Sequence, residues 1–195
     1  MDAFISFLVI AFFCFAAVLW LKRGESKYRL DKTKLVDGFI KKNNIDVAKF
    51  YSGNYCDLVL DTTNRSIWFF VLEQLTLKYK QIPFDDLFYV ALKYDGNPID
   101  VYRRQGQLRR EMLGGEGLNK LDLGTIQNAA EFKIIKNVSI TMIMDDRHAS
   151  TVDALFLSHV TFANPKTIKD EEAKTWFALL ANIIQDSEAE LRQSE

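Results

Sequence analysis

The 195 residues of this chain are enough for one domain of ordinary size and a short additional element. An apolar fraction of 48% with 15 Phe can form a buried core, which argues against disorder over most of the length. The net charge of -1 provides no field that would draw the whole chain onto nucleic acid, so no nucleic-acid partner is expected, and 2 Cys cannot build a disulfide framework.

The first predicted element is a transmembrane helix within residues 1–21. Residues 3–21 carry no charged side chain, and a helix of that length spans a hydrocarbon core of about 30 Å. A cleaved signal peptide needs a positive region before the apolar run, but the only charged side chain there is Asp2. A signal peptide and a helix within a larger membrane complex are the alternatives.

The orientation follows from the charges after this run. Lys and Arg outnumber Asp and Glu through residue 34, and such an excess stays on the cytoplasmic side of a membrane. We therefore predict a single-pass inner-membrane protein that contacts the bilayer through residues 3–21. Its N-terminus would lie outside the cell and its C-terminal domain in the cytoplasm.

Residues 22–45 are predicted to form a basic connector with a short amphipathic helix. The helix is expected at about residues 31–43, where apolar side chains recur at helical spacing. Cations beside a membrane attract anionic lipid, so the basic residues nearest the predicted transmembrane helix are candidate lipid contacts. These residues are Lys22, Arg23, Lys27 and Arg29.

Residues 46–190 are predicted to form a β-rich domain. From about residue 47 to 102, β-branched and aromatic runs alternate with turn signals, which is typical of a β meander. The pattern fails between residues 103 and 131, where arginines and a glycine cluster predict a long loop. Two long strands, residues 132–144 and 152–162, are then expected to form a hairpin. The strands predicted within the meander are residues 56–60, 66–72, 75–80, 87–94 and 99–102.

An amphipathic helix is predicted after Pro165. Acidic side chains occupy its first turn, where they favour the helix dipole. One face is apolar, and we expect it to be buried in the core, although a partner-binding face has the same pattern. The apolar residues are Ala173, Trp176, Phe177, Leu180, Ile183 and Ile184.

Three stretches of this sequence resemble small bacterial membrane-anchored PH-like (pleckstrin-homology-like) domain proteins of uncharacterised function. The stretches are residues 58–67 (LVLDTTNRSI), 82–87 (IPFDDL) and 172–180 (EAKTWFALL). The resemblance implies an α+β fold, in which an N-terminal transmembrane helix precedes a PH-like seven-stranded antiparallel β-barrel or sandwich capped by a C-terminal α-helix. It implies no particular activity, because such a fold hosts many functions.

No motif in the sequence predicts an enzyme or a bound cofactor. The glycines of residues 114–117 are not followed by Lys and Ser or Thr, so they do not predict a phosphate loop. Asp85 and Asp86 are adjacent, and in a strand they would point to opposite faces and could not act as a carboxylate pair. A nucleophile elbow and the CxxC and HExxH motifs are absent.

A metal site is not predicted either. Asp145, Asp146 and His148 provide oxygen and nitrogen ligands close together, but the only other histidine is His159. Aspartates favour turns, so we interpret this segment as a polar hairpin tip.

A second basic cluster comprises Arg103, Arg104, Arg109 and Arg110. It is interpreted either as an exposed hairpin rim or as a further contact with anionic lipid. We predict a membrane-tethered cytoplasmic binding or scaffold module that recruits or blocks a protein partner at the inner face of the membrane. The alternative is an anionic-lipid-binding domain at the membrane surface.

Overall fold

The computed structural model describes residues 30–105, 137–145, 150–157 and 168–193, together with Phe12, Phe15 and Ile135. The chain divides into two compact units, Met1–Asn44 and Ile45–Glu195.

The described part of the first unit is mainly a helix, α1, at residues 30–42. Val36 is buried, whereas Leu35 is exposed. The helix ends where the Asn43 side-chain amide donates to the Phe39 carbonyl oxygen over 2.8 Å. Asn44 then adopts a left-handed φ of 51°, a conformation that Asn tolerates better than most residues after a helix. The helix predicted at residues 31–43 is confirmed.

Among the described residues, none of the helices is both long and apolar enough to cross a membrane. The segment predicted to do so, residues 3–21, lies outside the described residues except for Phe12 and Phe15, which are helical and largely exposed. The transmembrane helix stays a prediction.

The second unit contains two four-stranded antiparallel sheets. The first sheet runs in chain order: β1 (Val47–Ser52), β2 (Asp57–Asp61), β3 (Ser66–Glu73) and β4 (Thr76–Pro83). A 3-10 turn, Phe84–Asp86, leads into the second sheet. The strands of the second sheet are β5 (Leu87–Tyr94), β6 (Asn97–Arg103), β7 (Val138–Met144) and β8 (Thr151–Leu157), in the order β6-β5-β7-β8.

One core is shared by both sheets and a C-terminal helix, α2 (Ile168–Gln193), which packs mainly on the second sheet. The apolar face predicted from the sequence supplies the helical part of this core, and Trp176 is fully buried there. The Lys49 Nζ of β1 lies 5.4 Å from the centre of the Trp176 ring, so a cation from the first sheet also contacts the helix.

Side chains join β1 and the segment after it to β8, at the edges of the two sheets. The rings of Tyr51 and Phe156 stack with centroids 4.1 Å apart, and the Tyr51 hydroxyl donates to the Phe156 carbonyl oxygen over 3.2 Å. The Cys56 thiol lies 3.7 Å from the Leu155 carbonyl oxygen. Burial is the main cause that raises the pKa of Tyr51 above its usual value. Cys56 is a buried thiol, as predicted, and Cys14 lies outside the described residues.

The predicted α+β class, the antiparallel sheets and the C-terminal helix are confirmed. The predicted count of seven strands is wrong, because the described residues form eight. The added strand is β1, in which only Tyr51 is buried, so its apolar residues do not show the alternating burial of a typical strand. Asp85 and Asp86 lie on the 3-10 turn and not on a strand, because Pro83 starts a tight turn between the two sheets.

Candidate functional site

A cleft of about 330 Å³ lies between the C-terminal turns of α2 and the turns that precede β3 and β5. Phe84 and Ile183 provide its apolar part, and each is 9% exposed. The polar residues that line the cleft include Arg65, Asp186, Ser187 and Glu190.

The turn between β2 and β3 positions Arg65. The buried Asp61 carboxylate accepts hydrogen bonds from the Asn64 backbone N–H over 3.0 Å and from the Asn64 side-chain amide over 2.8 Å. Arg65 follows in a left-handed conformation with φ of 46°, and its carbonyl oxygen accepts from the Phe84 N–H over 2.9 Å. These backbone and side-chain bonds hold Arg65 next to the 3-10 turn.

The Arg65 guanidinium forms a bidentate contact with Glu190. Its two terminal nitrogens lie 3.0 and 2.7 Å from the Glu190 carboxylate oxygens, and one of them lies 3.4 Å from Asp85 Oδ1. The guanidinium carbon is 5.7 Å from the centre of the Phe84 ring. The hydrogen bond with Glu190 is the main cause that raises the pKa of Arg65.

This ion pair fixes geometry more than it stabilises the fold. The side chains of Arg65, Asp85 and Glu190 are 45%, 65% and 58% exposed, respectively. Ion pairs exposed to solvent contribute only about 0–1 kcal/mol. The contact therefore orients two side chains at the rim of the cleft.

Ser187 differs from the other polar residues of the cleft because it is buried. It is 1% exposed, and its hydroxyl has no hydrogen-bond partner among the described residues. Buried hydroxyls are nearly always paired, and an unmade hydrogen bond costs about 1–3 kcal/mol. A ligand with a suitable polar group could remove that cost.

The cleft carries an excess of negative charge. Among the lining residues, Arg65 is opposed by the carboxylates of Asp186 and Glu190, and Asp186 forms no ion pair with any described residue. Asp85 contacts Arg65 from outside the lining of the cleft. The cleft also lies at the C-terminal end of α2, where the last carbonyl groups carry partial negative charge. Acidic side chains there oppose the helix dipole, so folding alone does not favour them.

Two of the arginines predicted to form a basic cluster lie in the described residues, and they differ. Arg103 is exposed, with its guanidinium carbon 5.3 Å from the centre of the Phe88 ring. Arg104 is only 7% exposed, and it donates to Asp145 Oδ2 over 2.8 Å and to the Asp85 carbonyl oxygen over 2.6 Å. The expectation that Arg104 lies on an exposed rim is wrong, because its charge is paired inside the fold.

The other predicted lipid contacts lie outside the described residues, so they stay predictions. They are Lys22, Arg23, Lys27, Arg29, Arg109 and Arg110.

The predicted polar hairpin tip begins with a buried residue. Asp145 is 5% exposed, and its N–H donates to the Asp86 carbonyl oxygen over 2.6 Å. Asp146 and His148 lie outside the described residues. No group of three or more His, Cys, Asp or Glu side chains suited to a metal ion occurs in the part of the chain that the structure describes.

A second charged cluster ties α2 to the second sheet. The Tyr94 hydroxyl donates to Asp170 Oδ1 over 2.5 Å, and Lys174 Nζ lies 2.8 Å from Asp170 Oδ2. Burial, with the bond to Asp170, raises the pKa of Tyr94 to about 12. Each of these groups has a partner in the cluster, so the cluster acts as a structural connection between α2 and the second sheet.

The sequence matches no known protein-family model, and no curated protein or solved structure matches it either.

Sequence reasoning missed the cleft because its polar residues are distant in the chain. Arg65 and Glu190 are 125 positions apart, so neither predicts the other. The available signal was in the helix itself. Glu190 lies in its last turn, where acidic side chains are unfavourable, and Asp186 lies one turn earlier on the same face. Ser187 lies between them, in phase with the apolar face that includes Ile183 and Ile184.

Proposed function

We propose that this chain is a binding module that a transmembrane helix holds at the cytoplasmic face of the inner membrane, and that its cleft receives a segment of a protein partner. The observation that carries this proposal is Ser187, a residue that lines an open cleft and whose buried hydroxyl lacks a hydrogen-bond partner among the described residues. Ligand sites typically combine apolar walls with a few polar groups, and this cleft has both.

The predicted tether would supply part of the mechanism. An anchor at residues 3–21 confines the domain to the membrane surface, where partners in the same membrane meet it at high effective concentration. A small cleft of about 330 Å³ can then recruit or block a partner even if the isolated interaction is weak. No catalytic step is proposed.

We propose in addition that the second unit is a PH-like domain. Two antiparallel sheets around one core, with a C-terminal helix packed against them, support this assignment. The eighth strand is an addition to the seven that the resemblance implies.

The alternative, anionic-lipid binding by the domain, loses support at one residue. Arg104 is paired with Asp145 and is therefore not available to a lipid phosphate. Arg103 is exposed and keeps this alternative testable within the described residues.

Site-specific photocrosslinking in cells tests the proposal. A photoreactive amino acid replaces Ala189, an exposed residue that lines the cleft, or Ala178, an exposed alanine on the same helix. The two positions lie about 16 Å apart along the helix axis. The matched pair separates contact at the cleft from general proximity to membrane proteins.

We expect the Ala189 variant of the full-length protein to form discrete protein adducts that the Ala178 variant does not form. Deletion of residues 1–21 should reduce those adducts, because confinement to the membrane is lost. Adducts that are equal at both positions, or an absence of protein adducts at Ala189, would contradict the proposal. Adducts with lipid at Ala189 would favour the lipid alternative.

A further inference from the structure

We infer that the cleft recognises a cationic side chain, specifically an arginine in a basic segment of the partner. This inference rests on the proposed function, since it names the chemistry of the segment that the cleft would receive. Four features support it: the charge of the cleft, the Ser187 hydroxyl, the end of α2 and the way in which the cleft already holds a guanidinium.

The charge of the cleft favours a cation. Two carboxylates, Asp186 and Glu190, and one guanidinium, Arg65, line the cleft, so a ligand cation would bring the local charge closer to balance. The Asp186 carboxylate is exposed and has no ion-pair partner among the described residues. Carboxylates bind guanidinium groups through charge-assisted hydrogen bonds, which are stronger than bonds between neutral groups.

The Ser187 hydroxyl adds an acceptor at the buried side of the cleft. Its oxygen can accept a hydrogen bond from a ligand N–H, and it has no partner among the described residues. Ser187 and Asp186 are neighbours on α2, and both line the cleft. A guanidinium carries five N–H donors, so it can bond to both residues at once, whereas an ammonium has a single charged centre.

The end of α2 favours the same charge. The last four carbonyl groups of a helix lack intrahelical partners and attract cations. Gln193 is the last residue of α2 and lines the cleft, which places this end at the site. The same partial negative charges would repel an anion.

Arg65 shows that the local carboxylates accept a guanidinium. Glu190 contacts it through both oxygens, at 3.0 and 2.7 Å, and Asp85 contacts it at 3.4 Å. An anionic ligand would have to displace Glu190 from Arg65 and would then lie among carboxylates. A cationic ligand requires no such exchange, because Asp186 remains available.

The membrane supplies a suitable class of partner. Cytoplasmic segments that flank transmembrane helices carry an excess of Lys and Arg. A domain tethered at that face therefore meets basic segments of neighbouring membrane proteins at high local concentration. The cleft volume of about 330 Å³ is at the small end of ligand sites, which suits one extended side chain and not a folded surface.

A pair of peptides that differ only in charge tests the inference on the full-length protein in detergent. One fluorescent peptide is Ala-Gly-Arg-Gly-Ala with blocked ends, and in the other citrulline replaces arginine, which keeps the shape but removes the charge. Fluorescence anisotropy at low salt gives the dissociation constants. We expect the arginine peptide to bind at least about tenfold more tightly, as is usual when a charge-assisted bond is lost.

Two substitutions on α2 locate the effect. Asp186→Asn should weaken binding of the arginine peptide about tenfold, and Ser187→Ala should weaken it several-fold. Glu171→Gln removes the same charge at the other end of α2 and should leave binding unchanged, so it is the matched control. Thermal unfolding of each variant shows whether the fold is retained, and Asp186→Asn changes an exposed side chain, so it should not perturb folding.

Several outcomes would overturn the inference: equal binding of the two peptides, no binding of either, or no effect of Asp186→Asn. Tighter binding of the same peptide with glutamate in place of arginine would show that the site takes an anion. If Ala189 crosslinks to a partner while the arginine peptide fails, the binding-module proposal stands and only the cationic ligand is wrong. If both experiments fail, the proposed function fails as well.

Discussion

Replacing Asp145 with asparagine should destabilise the second unit strongly, because it leaves the buried Arg104 without a counter-charge. Both side chains are 8% exposed, and the closest nitrogen and oxygen are 2.8 Å apart. The Asp85 carbonyl oxygen, 2.6 Å from the other terminal nitrogen, is retained in the variant but carries only a partial charge.

The expected loss comes from two opposing contributions. At 2.8 Å and an effective dielectric constant of about 20, the attraction within the pair is about 6 kcal/mol. Burial of each ion costs several kcal/mol, so the intact pair contributes little net stability. The variant would keep the burial cost of the guanidinium without the attraction, and breaking such pairs typically costs about 3–5 kcal/mol. We expect Asp145→Asn to lower the free energy of unfolding by that amount.

Urea unfolding of the full-length protein in detergent, followed by near-ultraviolet circular dichroism, measures this loss. The double variant Asp145→Asn with Arg104→Met should recover about 2 kcal/mol or more relative to the sum of the single losses, because neither charge then remains buried. Arg103→Met is the control, and it should cost at most about 1 kcal/mol as an exposed cation–π contact. A loss below about 1 kcal/mol for Asp145→Asn, or additive effects in the double variant, would refute the reasoning.

Two further predictions concern the core and the pH dependence of stability. Gly53→Ala should lower the free energy of unfolding by about 1–3 kcal/mol, because the new Cβ would lie 2.5 Å from the Tyr51 hydroxyl oxygen. Gly38→Ala should stabilise α1 by about 0.5–1 kcal/mol, because no atom lies within 4 Å of the new Cβ. Chemical unfolding of the two variants compares these effects. The pKa of Tyr94 is raised to about 12, so the folded protein holds the hydroxyl proton more tightly than the unfolded chain does. The contribution of this proton to the stability of the fold is complete below about pH 10 and is lost as the pH rises through 12. Tyr94→Phe should reduce this alkaline loss while costing about 1 kcal/mol at neutral pH, and an unchanged alkaline slope in unfolding experiments would count against it.

The parts of the fold that repeat a short period were predictable from the sequence. The apolar face of α2 recurs at helical spacing, and its predicted residues are buried. The hairpins of the first sheet follow in chain order, so each strand pairs with the next. The pairing of β5 with β7 was not predictable, because many residues separate these strands and periodicity reports only a local preference.

The candidate site was less predictable than the fold. Arg104 belongs to a basic cluster that is expected to be solvated on the basis of the sequence alone. Its burial is explained by Asp145, which is 41 positions away and accepts its hydrogen bond. The contact between Arg65 and Glu190 depends on which face of α2 packs toward the turn before β3. The sequence of either segment alone does not determine that packing. The unfavourable position of Glu190 in the last turn of α2 was the one local signal.

The strand order of the second sheet has a consequence for how the chain assembles. The first sheet and the β5–β6 hairpin pair neighbours in sequence, so they can form as soon as those residues are available. The other side of β5 pairs with β7, where Tyr94 is opposite Val138. Many residues connect these two strands, so closing the loop between them is entropically slower. The core of the second unit is complete only when α2 packs on it, because Trp176 and other apolar residues of this helix belong to that core. The same helix forms one wall of the cleft, so the cleft depends on the packing of α2 against the core.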